Sequence, residues 1–351
     1  MSEIDALQVF CDPLLGDGAK AAVADWSKRK GKVEILKTTD LVSASEQLLA
    51  GEGDLLACSA EWVLENPISG LTMVGTLPRK EPTLVMVSDD KLEYLPKGAI
   101  IVTDVELCQR QLIRARADLD IHTVAEIVEK NDLQLPKGNS NIDLAKWLED
   151  LRERNIINGF VISRSLFSAS NIKSRRHTLG LQRGEAARQR FLPPPWQGYT
   201  LLFARPGFPT DLIQEDLDYP SLLSFQLESR ILRDIDAEIL PFIGIHTSLR
   251  QIGTVLRELD NEDDLHLSDG LIDSYGKPLN TKPRVELMIE LLNRDGSVSI
   301  SVERVAPEEN ASEEAVRLLL TFNDLLEIST MEHEASPRTG AASGAMLNLK
   351  E

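Results

Sequence analysis

Short apolar runs alternate with helical segments along the first third of this chain. That alternation constrains the fold more than any other feature of the sequence. Residues 7–10 read as a strand, broken by Asp12-Pro13 and Gly16-Asp17-Gly18. Residues 20–28 follow as a helix whose apolar side holds Ala21, Ala22, Ala24 and Trp26. A strand at 33–36, a helix at 43–49 ended by Gly51, and a short buried strand at 54–58 come next. Residues 71–77 and 84–87 are two further strands. A β-α-β-α-β order implies a mostly parallel, wound sheet with helices on its faces.

Lys97-Gly98 opens a second α/β unit. The run Ala99-Ile100-Ile101-Val102 reads as a buried strand, and Thr103 with Glu106 spells the T-x-x-E capping box of a helix start. A strand feeding a helix N-terminus commonly holds an anion, because free N–H groups and the helix dipole point at it. Here Asp104 and Glu106 already stand there, so the junction carries its own negative charge. Helices at 123–130, 142–154 and 185–190 and a strand at 160–162 complete the unit. The stretch 171–190 holds Lys173, Arg175, Arg176, Arg183, Arg188 and Arg190 against the single acid Glu185, and reads as a solvated basic face.

Past the Pro-rich segment 192–198, a strand at 199–203 and a break at 206–209 lead into a third unit. It contains a helix at 221–238, an apolar strand at 239–247 and an acidic turn at 260–264. A hairpin follows, strands 285–292 and 297–302 around an Asp-Gly tip, then a helix at 312–326. Residues 336–351 are small and polar, and read as a disordered tail.

The chain has 351 residues, enough for two or three domains. A net charge of −18 argues against a broad nucleic-acid-binding face. No apolar run approaches the roughly 18 residues of a membrane span, and the N-terminus lacks a secretory pattern, so the expected compartment is the cytoplasm. Three cysteines, Cys11, Cys58 and Cys108, are too few and too scattered for a disulfide framework.

The order of parts resembles porphobilinogen deaminase (hydroxymethylbilane synthase). The resemblance is carried by Leu49-Ala50-Gly51-Glu52-Gly53-Asp54-Leu55, by Leu95-Pro96-Lys97-Gly98-Ala99-Ile100, by residues 109–119, and by Leu192-Pro193-Pro194-Pro195-Trp196-Gln197-Gly198, which is similar to an LPAPGQG crossing between domains. It implies an α/β protein of three domains. Two are like type II periplasmic binding proteins, and the third is a small C-terminal α/β cap. The domains would span 1–92 with 197–216, then 93–196, then 217–335. The resemblance also implies an activity that joins porphobilinogen units head to tail on a dipyrromethane cofactor, thioether-linked to a cysteine of the third domain.

The sequence departs from that family where its chemistry resides. The third domain has no cysteine, and the region near Glu238 offers no thiol, so the covalent cofactor cannot be attached in the family's way. No other cofactor or metal is expected. Trp62 takes the place of the catalytic aspartate in the segment Cys58-Ser59-Ala60-Glu61-Trp62. Read as extended chain, that segment turns Glu61 to the opposite face, away from the reacting groups. The family's substrate-holding arginines fall at Asp12, at Leu107-Cys108, and near Ala125 and Asn131, and a lysine falls near Val42. Such a cleft should repel polycarboxylates.

The expectation is therefore a porphobilinogen-deaminase-like pseudoenzyme linked to tetrapyrrole metabolism that binds a small molecule or a protein partner, with no nucleic acid and no membrane involved. A divergent active deaminase using Glu61 is the first alternative, and a scaffold using the 173–190 segment the second. The former site comprises Cys58, Ser59, Glu61 and Trp62. Cys11, Asp12, Thr103, Leu107 and Cys108 are expected around the cleft. Trp62 is either a wall of the former site or a filler of vacated space. The three thiols read as small buried hydrophobes, against a convergent set for a soft metal or haem iron. Arg110 and Arg114 share a helix face and, with Arg175 and Arg176, are the candidates for contacting an anion. Ordinary surface arginines are the plainer reading.

Overall fold

The computed structural model describes residues 6–138, 140–181, 190–254, 282–332 and 345–347. The chain divides into two compact units. The first comprises Met1–Asp104, Asp118–Leu179 and Trp196–Leu222; the second comprises Val105–Ala117, Gly180–Pro195 and Leu223–Glu351.

The first unit contains two five-stranded sheets. One is built from β1 (Leu7–Cys11), β2 (Val33–Lys37), β3 (Leu55–Ser59), β4 (Thr72–Thr76) and β10 (Thr200–Ala204), in the order β2-β1-β3-β10-β4. β1 runs parallel to β2 and β3, while β10 is antiparallel to both of its neighbours. The other sheet is built from β5 (Leu84–Ser88), β6 (Ile100–Val102), β7 (Asp120–His122), β8 (Gly159–Ser163) and β9 (Arg176–Leu179), in the order β7-β6-β8-β5-β9. There β6 is parallel to β7 and β8, and β5 is the antiparallel insert. The first sheet thus receives its antiparallel strand, β10, after a long excursion of the chain, whereas β5 enters the second sheet directly after β4. Both sheets are mixed, and with the helices packed on them they make an α/β architecture.

Alternation explains how the first sheet buries one face. Leu7, Val9 and Cys11 point the same way and pack on Ala22, Val23 and Trp26 of α1 (Ala19–Lys30). Trp26 is fully buried, and such a side chain stabilises a core by about 3–5 kcal/mol relative to alanine. The central strands β3 and β5 are buried at every position, as strands covered on both faces must be. In the second sheet, Val85, Val87, Val102 and Phe160 pack with Ile127 of α5 (Val124–Lys130) and with Leu148 and Leu151 of α6 (Asn141–Glu153).

The boundary expected at residue 92 is corrected here. β5 pairs with β8 and β9, so the chain leaves the first sheet between Thr76 and Leu84. β5 is apolar except for Ser88 and carries no mark of which sheet it joins; pairing partners far along the chain decide that.

The second unit holds an antiparallel sheet, β11 (Ile243–Arg250), β12 (Arg284–Leu292) and β13 (Ser299–Pro307), in that order. The last helix among the described residues, α9 (Ala311–Thr330), packs on β13 and β12 through Leu318 and Phe322 among others. Helix α4 (Glu106–Ala115) belongs to this unit, although it follows β6 directly in sequence. α8 (Tyr219–Arg233) is the helix expected at 221–238, ending five residues sooner. The helix expected at 185–190 falls almost wholly outside the described residues, as do the acidic turn at 260–264 and most of the tail at 336–351.

Candidate functional site

Three helix starts converge where the two sheets of the first unit face each other. β1 ends at Cys11 and a tight loop leads to α1. Asp12 is buried and its Oδ1 accepts the Leu14 N–H at 2.7 Å, so its carboxylate is spent within the loop. Gly16 has φ +68°, and a Cβ there would stand 2.5 Å from Leu166 of α7 (Arg164–Ser170), so only glycine lets the loop approach the second sheet's helix. Asp17 follows. Its Oδ1 accepts the Ala19 N–H at 3.0 Å and its Oδ2 the Ser59 N–H at 3.2 Å. One carboxylate therefore sits at the start of α1 and at the start of α3 (Ala60–Glu65), where the helix dipoles favour negative charge. Burial pushes the Asp17 carboxyl above its ordinary range, against those backbone hydrogen bonds.

Ser59 caps α3, accepting the Trp62 N–H at 3.2 Å. The segment Ala60–Glu65 is helical, which overturns its reading as extended chain. Strand alternation does not apply, and Glu61 turns toward the Pro-rich segment. Its Oε1 accepts the Gly198 N–H at 3.2 Å. Burial, reinforced by the Asp17 charge, pushes Glu61 up to about 8. The serine before an apolar run was the available signal for this helix. Asp17 was legible only as part of a chain break, because its partner Ser59 lies 42 residues away.

The Asp12–Gly18 loop and Gly198 border a cavity of about 640 Å³. Asp12, Asp17 and Lys20 line it from the first sheet's side, Lys80, Glu81 and Gly198 from the connecting segments, and Ile142, Lys146, Ser165 and Ser168 from the second sheet's helices. Leu14, Ala21, Ala22, Ala24 and Ala169 supply apolar wall. Lys80 is ion-paired with Asp25 of α1, and Glu81 with Arg164 of α7 at 3.3 Å. Three lysines stand against three carboxylates in this lining, so the expected reversal of sign is corrected to a near balance.

The other expected site residues lie elsewhere or serve packing. Cys11 is part of the first sheet's core, and Cys58 is buried within β3. Cys108 is buried on α4 in the second unit, as is Leu107. Burial pushes the Cys11 thiol up to about 11 and raises Cys58 and Cys108 as well, so none is poised as a thiolate. Among the described residues, no group of three or more His, Cys, Asp or Glu side chains could hold a metal ion. Trp62 is half-buried on α3 and does not line the cavity.

Thr103 is buried, with its N–H donating to the His122 carbonyl at 2.9 Å. The capping box expected there is absent: Val105 is the N-cap of α4, without a side-chain hydrogen bond, and Asp104 accepts the Val124 N–H at 2.8 Å instead. A capping box does form twenty residues later, between Thr123 and Glu126.

Arg110 and Arg114 were expected on the surface and are not. Arg110 is buried, donates to the Leu292 carbonyl at 2.6 Å and stacks 3.5 Å from the Phe242 ring centroid. Arg114 pairs with buried Glu290 at 2.5 Å and also reaches the Arg190 carbonyl. Both side chains are thus engaged within the second unit. Arg175 and Arg176 are exposed, Arg176 on edge strand β9 with its guanidinium 4.9 Å from the Phe167 ring. Glu238 is exposed.

No family model matches the chain, and no curated protein matches it. Solved structures similar to it include a periplasmic substrate-binding protein of an ABC transporter from Coxiella burnetii, at 14% identity and a TM-score of 0.34, covering 63% of this chain and 94% of that one. The periplasmic aliphatic sulphonate binding protein SsuA from Escherichia coli matches at 12% identity and a TM-score of 0.32, covering 99% and 96%. The reduced regulatory domain of OxyR2 from Vibrio vulnificus matches at 17% and 0.29, covering 60% and 93%. No described helix is long and apolar enough to cross a membrane.

Proposed function

We propose that this chain binds a small molecule in the cavity of its first unit. The observation that carries the reading is the cavity itself. Its volume of about 640 Å³ falls within the ~300–1,000 Å³ typical of small-molecule sites, and its wall is mostly apolar with a few polar groups. Native mass spectrometry of the freshly purified chain tests it. A co-purifying small molecule is expected, and replacing Ala21 by tryptophan, which fills the cavity from an exposed position, is expected to remove it. An adduct that survives Ala21→Trp overturns the reading.

The protein is, in this reading, a non-catalytic relative of porphobilinogen deaminase. The absence of a third-domain cysteine, the Trp62 substitution and the internal engagement of Arg110 and Arg114 support it. Incubation with porphobilinogen should give neither hydroxymethylbilane nor a mass increase from a bound dipyrrole; either product overturns it. One observation favours a second reading, a divergent active deaminase. Glu61 lies beside the cavity wall at Gly198, and its raised pKa suits a general acid. Turnover of porphobilinogen abolished by Glu61→Gln would establish that reading, and absence of turnover removes it.

A further inference from the structure

The cavity's own charges indicate which ligand it takes, on the reading that it is the binding site. Four of its six charged side chains are committed. Asp12 and Asp17 accept backbone N–H groups, Lys80 is paired with Asp25, and Glu81 with Arg164. Asp17 occupies the helix-start donors of α1 and α3 that a ligand anion would otherwise use, and Asp12 is spent within the loop. Lys20 on α1 and Lys146 on α6 remain. Both are exposed to the cavity, and neither has an ion-pair partner among the described residues. They come from opposite sides, one from the first sheet's helix and one from the second's. Leu14, Ala21 and Ile142 supply apolar surface beside them.

We propose that the cavity binds an organic anion with a compact apolar body, its acidic group held between Lys20 and Lys146. Charge-assisted hydrogen bonds to both ammonium groups hold the anion, and the apolar walls exclude water from its body. The near balance of charge in the lining suits a single acidic group better than a polycarboxylate.

Calorimetric titration of the full chain with hexanoate, hexanol and hexylamine, and with phenylacetate, benzyl alcohol and benzylamine, tests this. The carboxylate of at least one series should bind at least tenfold more tightly than its alcohol and amine. The double variant Lys20→Gln/Lys146→Gln should lose about tenfold in affinity for that carboxylate, while Lys37→Gln, outside the cavity, keeps it. Equal or tighter binding of the alcohol or amine, or full carboxylate affinity in the double variant, overturns the anion proposal while leaving the cavity reading intact. Carboxylate binding that persists in Ala21→Trp overturns both, as does saturable binding of no member of either series.

Discussion

The Glu61 carboxylate accepts the Gly198 backbone N–H at 3.2 Å, across 137 residues of sequence. This contact fastens the start of α3 to the segment that returns the chain to the first sheet. It also places a carboxyl titrating near 8 against a peptide on the cavity wall.

Glu61 should make stability depend on pH. Its carboxyl titrates near 8 in the folded chain and near about 4.3 when unfolded. Between those values the folded state holds the extra proton, so stability is greatest below the lower value and falls as pH rises toward the upper one. Asp17, also raised by burial, adds a slope of the same sign. Glu61→Gln keeps an acceptor for Gly198 and removes the titration. Urea midpoints from pH 5 to 9 should fall less steeply in the variant; parallel profiles would show that Glu61 titrates normally.

Gly198 should not tolerate a side chain. Its φ is +82°, and a Cβ would stand 2.7 Å from the Lys80 carbonyl. Gly198→Ala therefore combines backbone strain with a clash against main chain, and should cost more than about 1 kcal/mol. Denaturant unfolding measures it, and an unchanged midpoint would mean that the two connecting segments sit farther apart.

Arg114 and Glu290 form a buried pair, with Glu290 also accepting from Gln111 Nε2 at 3.1 Å. Glu290→Leu strands the arginine and should destabilise the chain by about 3 kcal/mol or more. The double variant Arg114→Leu/Glu290→Leu should recover much of that loss. Neither change should alter ligand affinity. Costs that simply add would indicate that the two charges do not interact.

All three thiols should resist modification in the native state. Each is buried with a raised pKa, so alkylation at pH 8 should proceed only through unfolding. Labelling followed by mass spectrometry should find unmodified Cys11, Cys58 and Cys108 until denaturant is added. Rapid labelling of any one in native buffer would contradict its placement.

The sequence by itself determined most of the element order, though not the helix at Ala60–Glu65 or the start of α4. Short apolar runs such as residues 7–10 specify strands, and strands alternating with helices require wound, largely parallel sheets. That no cysteine follows Cys108 was equally plain, because absence of an atom needs no geometry. Tertiary structure alone decided what depends on distant partners. It placed β5 in the second sheet through β8 and β9. It brought Asp17 to Ser59 and Glu61 to Gly198. It drew Arg110 and Arg114, polar on any pattern, into the interior, because Leu292 and Glu290, far along the chain, satisfy them there. A charged side chain reads as surface until its partner is known, and the partner is set by the fold.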